Sequence, residues 1–286
     1  MEAQKMSSEA DMAAAANDGQ VVPSSAAEGS NDVTSWRAKD QACVLGVDID
    51  GMTMADVLSK VALAIRSRRR LRIGVVNAAK LVNMDLDEAL RLDVSSSDLI
   101  LADGMSVVWA SKLGPYTLPE RVAGIDLMHD IMRNGAAHGH RVFLLGAKQA
   151  VCDEVAKRAS ADYPGIVIAG QRNGYFDDPD EAAIVAEINA AQPDVLFVAM
   201  TSPKKERFMA RWEDTLTVPV IHGVGGSFDV YAGVVSRAPE WMQRTGLEWL
   251  HRVLQEPGRM WRRYLTTNSL FVIKVLREAV SRRLKS

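Results

Sequence analysis

After Asp194, the stretch Val195-Leu196-Phe197-Val198-Ala199-Met200 runs without a charge into Thr201-Ser202-Pro203. Lys204–Glu213 follows, and then Val218-Pro219-Val220-Ile221-His222-Gly223 enters Val224-Gly225-Gly226-Ser227. The first run is too short for a buried helix and is bounded by turn residues, so it reads as a buried strand over 194–200. The segment 203–213 has helical character, and 218–223 is a second apolar strand closed by glycines. A strand, a helix and a strand within this span predict a βαβ unit, hence a parallel sheet with helices on its faces.

The same alternation extends upstream. Ala42–Val47 reads as one short strand. Thr53 with Asp56 forms a helix N-cap signal ahead of the stripe Val57, Val61, Ala64 and Ile65. Leu71–Val76 is a strand with a helix after it through Leu81. Leu99–Leu101 is a brief strand ending at Ala102-Asp103-Gly104, followed by helices over about 105–113 and 124–138. Arg141–Leu145 is a strand with a crossover helix over 148–161. Ile166–Ala169 is another strand, and 180–191 another helix. The expected class is α/β, a Rossmann-like, mostly parallel sheet flanked by helices, with a helical basic C-terminal appendage.

Composition narrows the function. The chain has 286 residues, 48% of them hydrophobic, and a formal net charge of -2. Two cysteines, Cys43 and Cys152, form neither a disulfide framework nor a four-cysteine zinc site, and no HExxH occurs. Low cysteine content without a signal peptide reads as cytoplasmic. No run of apolar residues is long enough for a transmembrane helix, and the near-neutral total argues against a general nucleic-acid binder. That total conceals a division. Residues 1–40 carry three Lys/Arg against seven Asp/Glu and read as a disordered acidic Ala/Ser-rich leader. Residues 41–236 are the mildly acidic Rossmann-like domain. Residues 237–286 hold eleven Lys/Arg against four Glu, with Trp241, Trp249 and Trp261 among them. Within that end, Leu265–Ala279 reads as an amphipathic helix with Leu270, Ile273, Leu276 and Val280 on one side and Lys274, Arg277, Arg282 and Arg283 nearby. Two readings stand: a helix on an anionic membrane surface, or a helix packed on its own domain with a solvated basic face.

In open α/β sheets, ligands sit beyond the carboxyl ends of the strands. Four such ends carry chemistry: Asn77, Asp103, the segment 201–206, and Gly223–Asp229. Asp103 is placed to act as a general base, or to cap the next helix with Gly104. Gly223-Val224-Gly225-Gly226-Ser227-Phe228 offers backbone N–H groups to a phosphate, but Phe228 replaces the third glycine of a dinucleotide fingerprint. Gly146-Ala147-Lys148 is a weaker version. The pairs Asp48/Asp50 and Asp85/Asp87 have metal-binding spacing, yet both precede helices and read as structural. With no metal expected, Arg252, Arg259 and Arg262 around Glu256-Pro257 become candidates for binding a diphosphate.

Taken in order, these segments resemble the WecG/TagA/CpsF glycosyltransferases, glycosyltransferase family 26, over about residues 44–264. The resemblance rests on Val76-Asn77-Ala78-Ala79-Lys80-Leu81, Ala102-Asp103-Gly104, Pro119–Leu127, Val142–Gly146, Gly174-Tyr175-Phe176, Ser202-Pro203-Lys204-Lys205-Glu206 and Gly223–Asp229. It continues through Arg237-Ala238-Pro239, Leu247–Leu250, Glu256–Arg259 and Arg262-Arg263-Tyr264. It implies an inverting, metal-independent transferase without cofactor. Such an enzyme moves a hexose (N-acetylmannosamine, its uronic acid, or glucose) from a UDP-sugar to a polyprenyl-diphosphate-linked sugar in surface polysaccharide synthesis. The resemblance places it peripherally on the inner face of the cell membrane, and implies a homo-oligomer that no motif here decides. It assigns Asp103 as base and Arg121 as a phosphate-facing catalytic arginine. Asn77, Gly104, Lys205, Glu206, Gly225, Gly226, Asp229, Arg252, Arg259 and Arg262 become substrate-binding. Two positions depart from the family pattern: Val75 stands where Thr is frequent, and Lys205 where Gln is frequent. The rival readings are a Rossmann-type nucleotide-binding oxidoreductase and a non-catalytic membrane adaptor.

Overall fold

The central apolar run is strand β7 (Val195–Ala199), buried along its whole length. It lies parallel between β5 (Arg141–Gly146) and β8 (Val220–Gly223). Beyond β5 comes β6 (Val167–Arg172). Beyond β8 come β3 (Leu71–Val76) and β4 (Leu99–Ala102). The six-stranded sheet thus has the order β4-β3-β8-β7-β5-β6 and is parallel throughout. Strand alternation explains why every central position is apolar. Val195, Phe197 and Ala199 face one helical layer, while Leu196 and Val198 face the other.

The computed structural model describes residues 35–255 and 257–284, which belong to one compact unit. The leader expected over residues 1–40 lies outside the described residues up to Thr34. One face of the sheet is covered by α1 (Met54–Ser67), α5 (Gly124–Ala136), α6 (Gln149–Asp162) and α9 (Ser227–Tyr231). The other carries α2 (Ala78–Leu86), α3 (Glu88–Ser95) and α4 (Met105–Ser111) at one end. At the other end of that face lie α7 (Glu181–Ala191) and α8 (Lys204–Arg211). Thr53 and Asp56 form the expected capping box: Thr53 Oγ1 accepts the Asp56 N–H at 3.2 Å, and Asp56 Oδ2 accepts the Thr53 N–H at 2.9 Å.

The single strand expected over Ala42–Val47 is instead an antiparallel hairpin of β1 (Gln41–Val44) and β2 (Val47–Asp50). Leu45 and Gly46 form its turn with positive φ, so the apolar alternation continues through a reversal of the chain. The acidic pairs are part of the fold. The Asp50 carboxylate is fully buried and accepts from the Ala38 N–H, Gln41 Nε2, Arg37 Nη1 and the Ile100 N–H at 2.8–2.9 Å. It ties the hairpin to β4. Asp87 caps α3 through the Leu90 N–H at 3.1 Å, and Asp85 pairs with Arg91 and Lys274.

The C-terminal end forms α10 (Glu240–Arg244), α11 (Glu248–Gln255) and α12 (Pro257–Arg283). Pro257 opens α12, where its missing N–H costs nothing. The helix is longer than the 265–279 expected, and its packing face differs. Phe271 and Val275 are buried against α2 and the hairpin, whereas Ile273, Leu276 and Val280 are exposed. Glu278 accepts the Leu45 N–H at 3.0 Å, and Arg282 donates to the Cys43 carbonyl at 2.9 Å. The helix is docked on its own domain, and a second apolar row remains on its outer side.

Asp50→Ala leaves four donors without their acceptor: the half-buried Arg37 guanidinium, the Gln41 amide, and the Ala38 and Ile100 N–H groups. It is expected to cost about 3 kcal/mol, read as a lower urea midpoint at unchanged m-value.

Candidate active site

Parallel pairing of β3 with β4 puts Val76 opposite Ala102, so Asn77 and Asp103 leave the sheet side by side. The Asp103 N–H donates to the Val76 carbonyl at 2.9 Å. Asn77 caps α2, its Oδ1 accepting the Lys80 N–H at 3.0 Å. Gly104 precedes α4, and a Cβ there would lie 3.5 Å from Asn77 Cβ. Asp103 is half-buried, and its Oδ1 accepts the Gly124 N–H, an otherwise unpaired donor in the first turn of α5, at 2.8 Å. Its Oδ2 has no hydrogen bond among the described residues. The carboxylate is therefore held in one orientation with one oxygen available, the geometry a general base requires.

His222 reaches the same residue, Gly124, at its next peptide group, from β8. Its Nε2 lies 3.1 Å from the Gly124 carbonyl, which only accepts, so Nε2 carries the proton. Burial pushes the imidazole down to about 4, and it is neutral at pH 7.

The second cluster gathers behind the loop that follows β8. Lys80 donates to Glu206 Oε1 at 2.7 Å and to the Val75 carbonyl at 2.7 Å. Lys205 contacts the same Glu206 oxygen at 2.9 Å. Both Lys205 and Glu206 are buried. Burial, and then the neighbouring Lys80 charge, push Lys205 down to about 8. Burial alone would raise Glu206, but the two ammonium groups outweigh it and hold the carboxyl below its ordinary range. Glu206 Oε2 is buried and has no hydrogen-bond partner among the described residues. Gly225 has φ +56°, a conformation that favours glycine, and a Cβ there would sit 3.7 Å from Lys205 Nζ.

The C-terminal helices close on this end of the sheet. A Cβ on Gly226 would lie 3.9 Å from Arg252 Nη1. Arg121 donates to Glu248 Oε2 at 2.7 Å and reaches Asp126 and Gln243 at 3.4 Å, which joins the loop before α5 to α10 and α11. Asp126 also binds Arg237. The structure thus brings together Asn77, Asp103 and Gly104, then Lys205, Glu206 and Gly225, and then Gly226 with Arg252. Asp229 lies on α9 on the side of α6, close enough to help push up the Cys152 thiol. Arg262 stacks over Trp261 at 5.3 Å. Arg259 is on the first turn of α12, and its side chain lies outside the described residues.

Sequence reasoning passed over Lys80 and His222. Each left a signal. Lys80 is a cation in a helix's first turn, against the macrodipole, which calls for a partner carboxylate. His222 is a titratable side chain inside an apolar strand.

The profile described as Glycosyl transferase WecG/TagA/CpsF family matches residues 42–285. The chain is 39% identical over 185 residues to the N-acetylglucosaminyldiphosphoundecaprenol N-acetyl-beta-D-mannosaminyltransferase of Bacillus subtilis (strain 168), covering 65% of this chain and 71% of that protein. It is 32% identical over 234 residues to the protein of the same name from Staphylococcus aureus (strain MW2), covering 81% and 91%.

Because His222 is neutral in the folded chain down to about 4 but titrates near 6.5 when unfolded, the unfolded chain binds more protons between those values. Stability contributed by the neutral ring is present at pH 7 and is lost as pH falls. Between pH 7 and pH 5 the wild type is expected to lose about 2 kcal/mol more than His222→Gln, compared by urea unfolding at both pH values.

Proposed function

The chain belongs to the WecG/TagA/CpsF family of glycosyltransferases, and from that premise we propose that it transfers a hexose from a UDP-sugar to a polyprenyl-diphosphate-linked sugar with inversion. Its relatives are named for a mannosaminyl transfer to a diphosphoundecaprenol-linked sugar. The donor hexose here is N-acetylmannosamine, its uronic acid, or glucose. Val75, whose methyl faces Gly124, and Lys205 are the residues that set the choice.

The observation that carries this reading is the fixed, half-free Asp103 carboxylate beside Asn77 and Gly104 at the strand ends. Asp103 Oδ2 takes the proton of the acceptor hydroxyl as its oxygen attacks the anomeric carbon. The bond from that carbon to the diphosphate oxygen breaks, and UDP departs from the opposite side. Arg252, Arg259 and Arg262 then meet the charge that grows on phosphate, in place of a divalent cation. In this reading, phosphate binding by Arg121 requires release of its carboxylate partners, a change that substrate charge would favour. A dinucleotide oxidoreductase has less support, since the glycine loop lacks the third glycine and the named relatives are transferases.

The acceptor's lipid places the enzyme at a membrane. Among the described residues no helix is long and apolar enough to cross one. The outer row of α12, with Val272, Ile273, Leu276 and Val280 exposed next to Lys274 and Arg277, supports peripheral attachment to an anionic, cytoplasmic leaflet.

Asp103→Asn is expected to reduce kcat by about 10² to 10⁴-fold with circular dichroism and urea midpoint unchanged. A panel of UDP-hexoses offered with polyprenyl-diphosphate monosaccharides measures this and identifies the donor. Turnover is expected to survive EDTA, and full activity in folded Asp103→Asn would remove the carboxylate from its role. Leu276→Glu with Val280→Glu is expected to abolish co-sedimentation with vesicles containing phosphatidylglycerol, while the urea midpoint stays as in the wild type.

A further inference from the structure

Between α11 and α12 runs a groove of about 300 Å³, lined by Trp249 and Val253 from one helix and Trp261, Tyr264, Leu265, Asn268 and Ser269 from the other. That volume is at the lower end for sites that hold a small ligand. Its walls are aromatic and aliphatic. The Trp249 and Tyr264 rings are 6.2 Å apart, and Trp249, Trp261 and Leu265 remain 36%, 46% and 61% exposed. Helical spacing explains the wall: residues 249 and 253, and residues 261, 264, 265 and 268, each share one helix face.

The charge at its edge says what fits. Arg252 stands between Trp249 and Val253 in sequence, three residues from the first and one from the second. Its Nη1 approaches Gly226 to 3.9 Å of a Cβ position, while Arg262 lies over Trp261. The residue whose guanidinium approaches the glycine loop and the two residues that line the apolar trough thus stand within one turn of the backbone of α11. A ligand that satisfies both has an anionic head at the loop and an unbranched-to-branched hydrocarbon leaving it directly. We propose that this groove holds the isoprenoid segment next to the diphosphate of the lipid-linked acceptor, so that the protein, and not the bilayer alone, reads the lipid. This rests on the transferase reading above, because it takes the acceptor from it.

The test separates binding from turnover. Farnesyl diphosphate and inorganic diphosphate are titrated into the full chain without membrane or detergent, followed by tryptophan fluorescence and calorimetry. Burying even two methylenes corresponds to about tenfold in affinity. Farnesyl diphosphate is therefore expected to bind at least about tenfold tighter than inorganic diphosphate. Val253→Asn and Trp249→Ala are each expected to remove that advantage while leaving inorganic diphosphate affinity and the urea midpoint unchanged. Equal affinity for the two probes overturns the proposal, as does an advantage that survives both substitutions. If the substitutions instead abolish vesicle binding or dissociate a dimer in sedimentation velocity, with farnesyl diphosphate affinity unchanged, the groove is a bilayer or subunit surface and the proposal also fails. Turnover assays with a methyl- and a farnesyl-diphosphate-linked sugar report on the reaction separately. Turnover of both with equal KM leaves the transferase standing and removes the groove. Tight farnesyl diphosphate binding without any sugar transfer keeps the apolar site and removes its assignment to an acceptor.

Discussion

Gly124 is held on both sides of its Cα, through the N–H of one peptide group and the carbonyl of the next, by side chains from different strands. Its N–H goes to Asp103 at the end of β4, and its carbonyl takes the His222 proton from β8. Since β3 lies between those two strands, this one residue bridges the strand that ends in Asn77. The start of α5, the orientation of the carboxylate and the spacing of three strand ends are therefore one constraint. A neutral His222 suits it, because a protonated ring would place an uncompensated charge where burial is complete. Val75 supports the same point from β3, with its Cγ2 3.6 Å from a Cβ on Gly124.

A second constraint is electrostatic. Lys80 and Lys205 share one oxygen of Glu206, so the cluster holds two cations against one anion in a buried place. Such a set is stable only where its remaining charge finds compensation. Burial and the neighbouring Lys80 push Lys205 down to about 8, the direction in which crowding two cations on one carboxylate acts. With Gln at this position the cluster would be neutral. Lys205 thus sets the field beneath the loop without changing the loop.

The fold was legible because its period is local. Buried strands such as β7 need unbroken apolar runs, and the cap at Thr53 announces α1 in four residues. The hairpin was missed because its turn, Leu45-Gly46, lacks the Asn-Gly or Asp-Gly signal and its strands share the apolar run. Asp103 was legible from its place after a strand. Its fixing partner was not, because the Gly124 N–H and His222 come from segments far apart in the chain, and pairing order decides that they meet. The same reason hides Lys80: a lysine beside a strand end says nothing of a glutamate on α8 until β3 and β7 are known to be separated only by β8. The apolar row Ile273, Leu276 and Val280 is legible on α12, but whether it faces the domain or its surroundings is not, since Phe271 and Val275 give the helix a second apolar side.

That two-sidedness bears on how attachment and catalysis are linked. A helix that only packs on its domain needs one apolar stripe and a polar outer face. On α12 the inner stripe, Phe271 and Val275, already suffices for docking, reinforced by Glu278 and Arg282 on the hairpin. The outer row adds nothing to the fold and carries a cost in water, which a membrane surface would remove. The inner stripe lies on α2, and α2 begins at Asn77 beside Asp103. On the proposed reading, a bilayer holding the outer row would therefore fix, through one rigid helix pair, where Asp103 sits relative to the membrane surface.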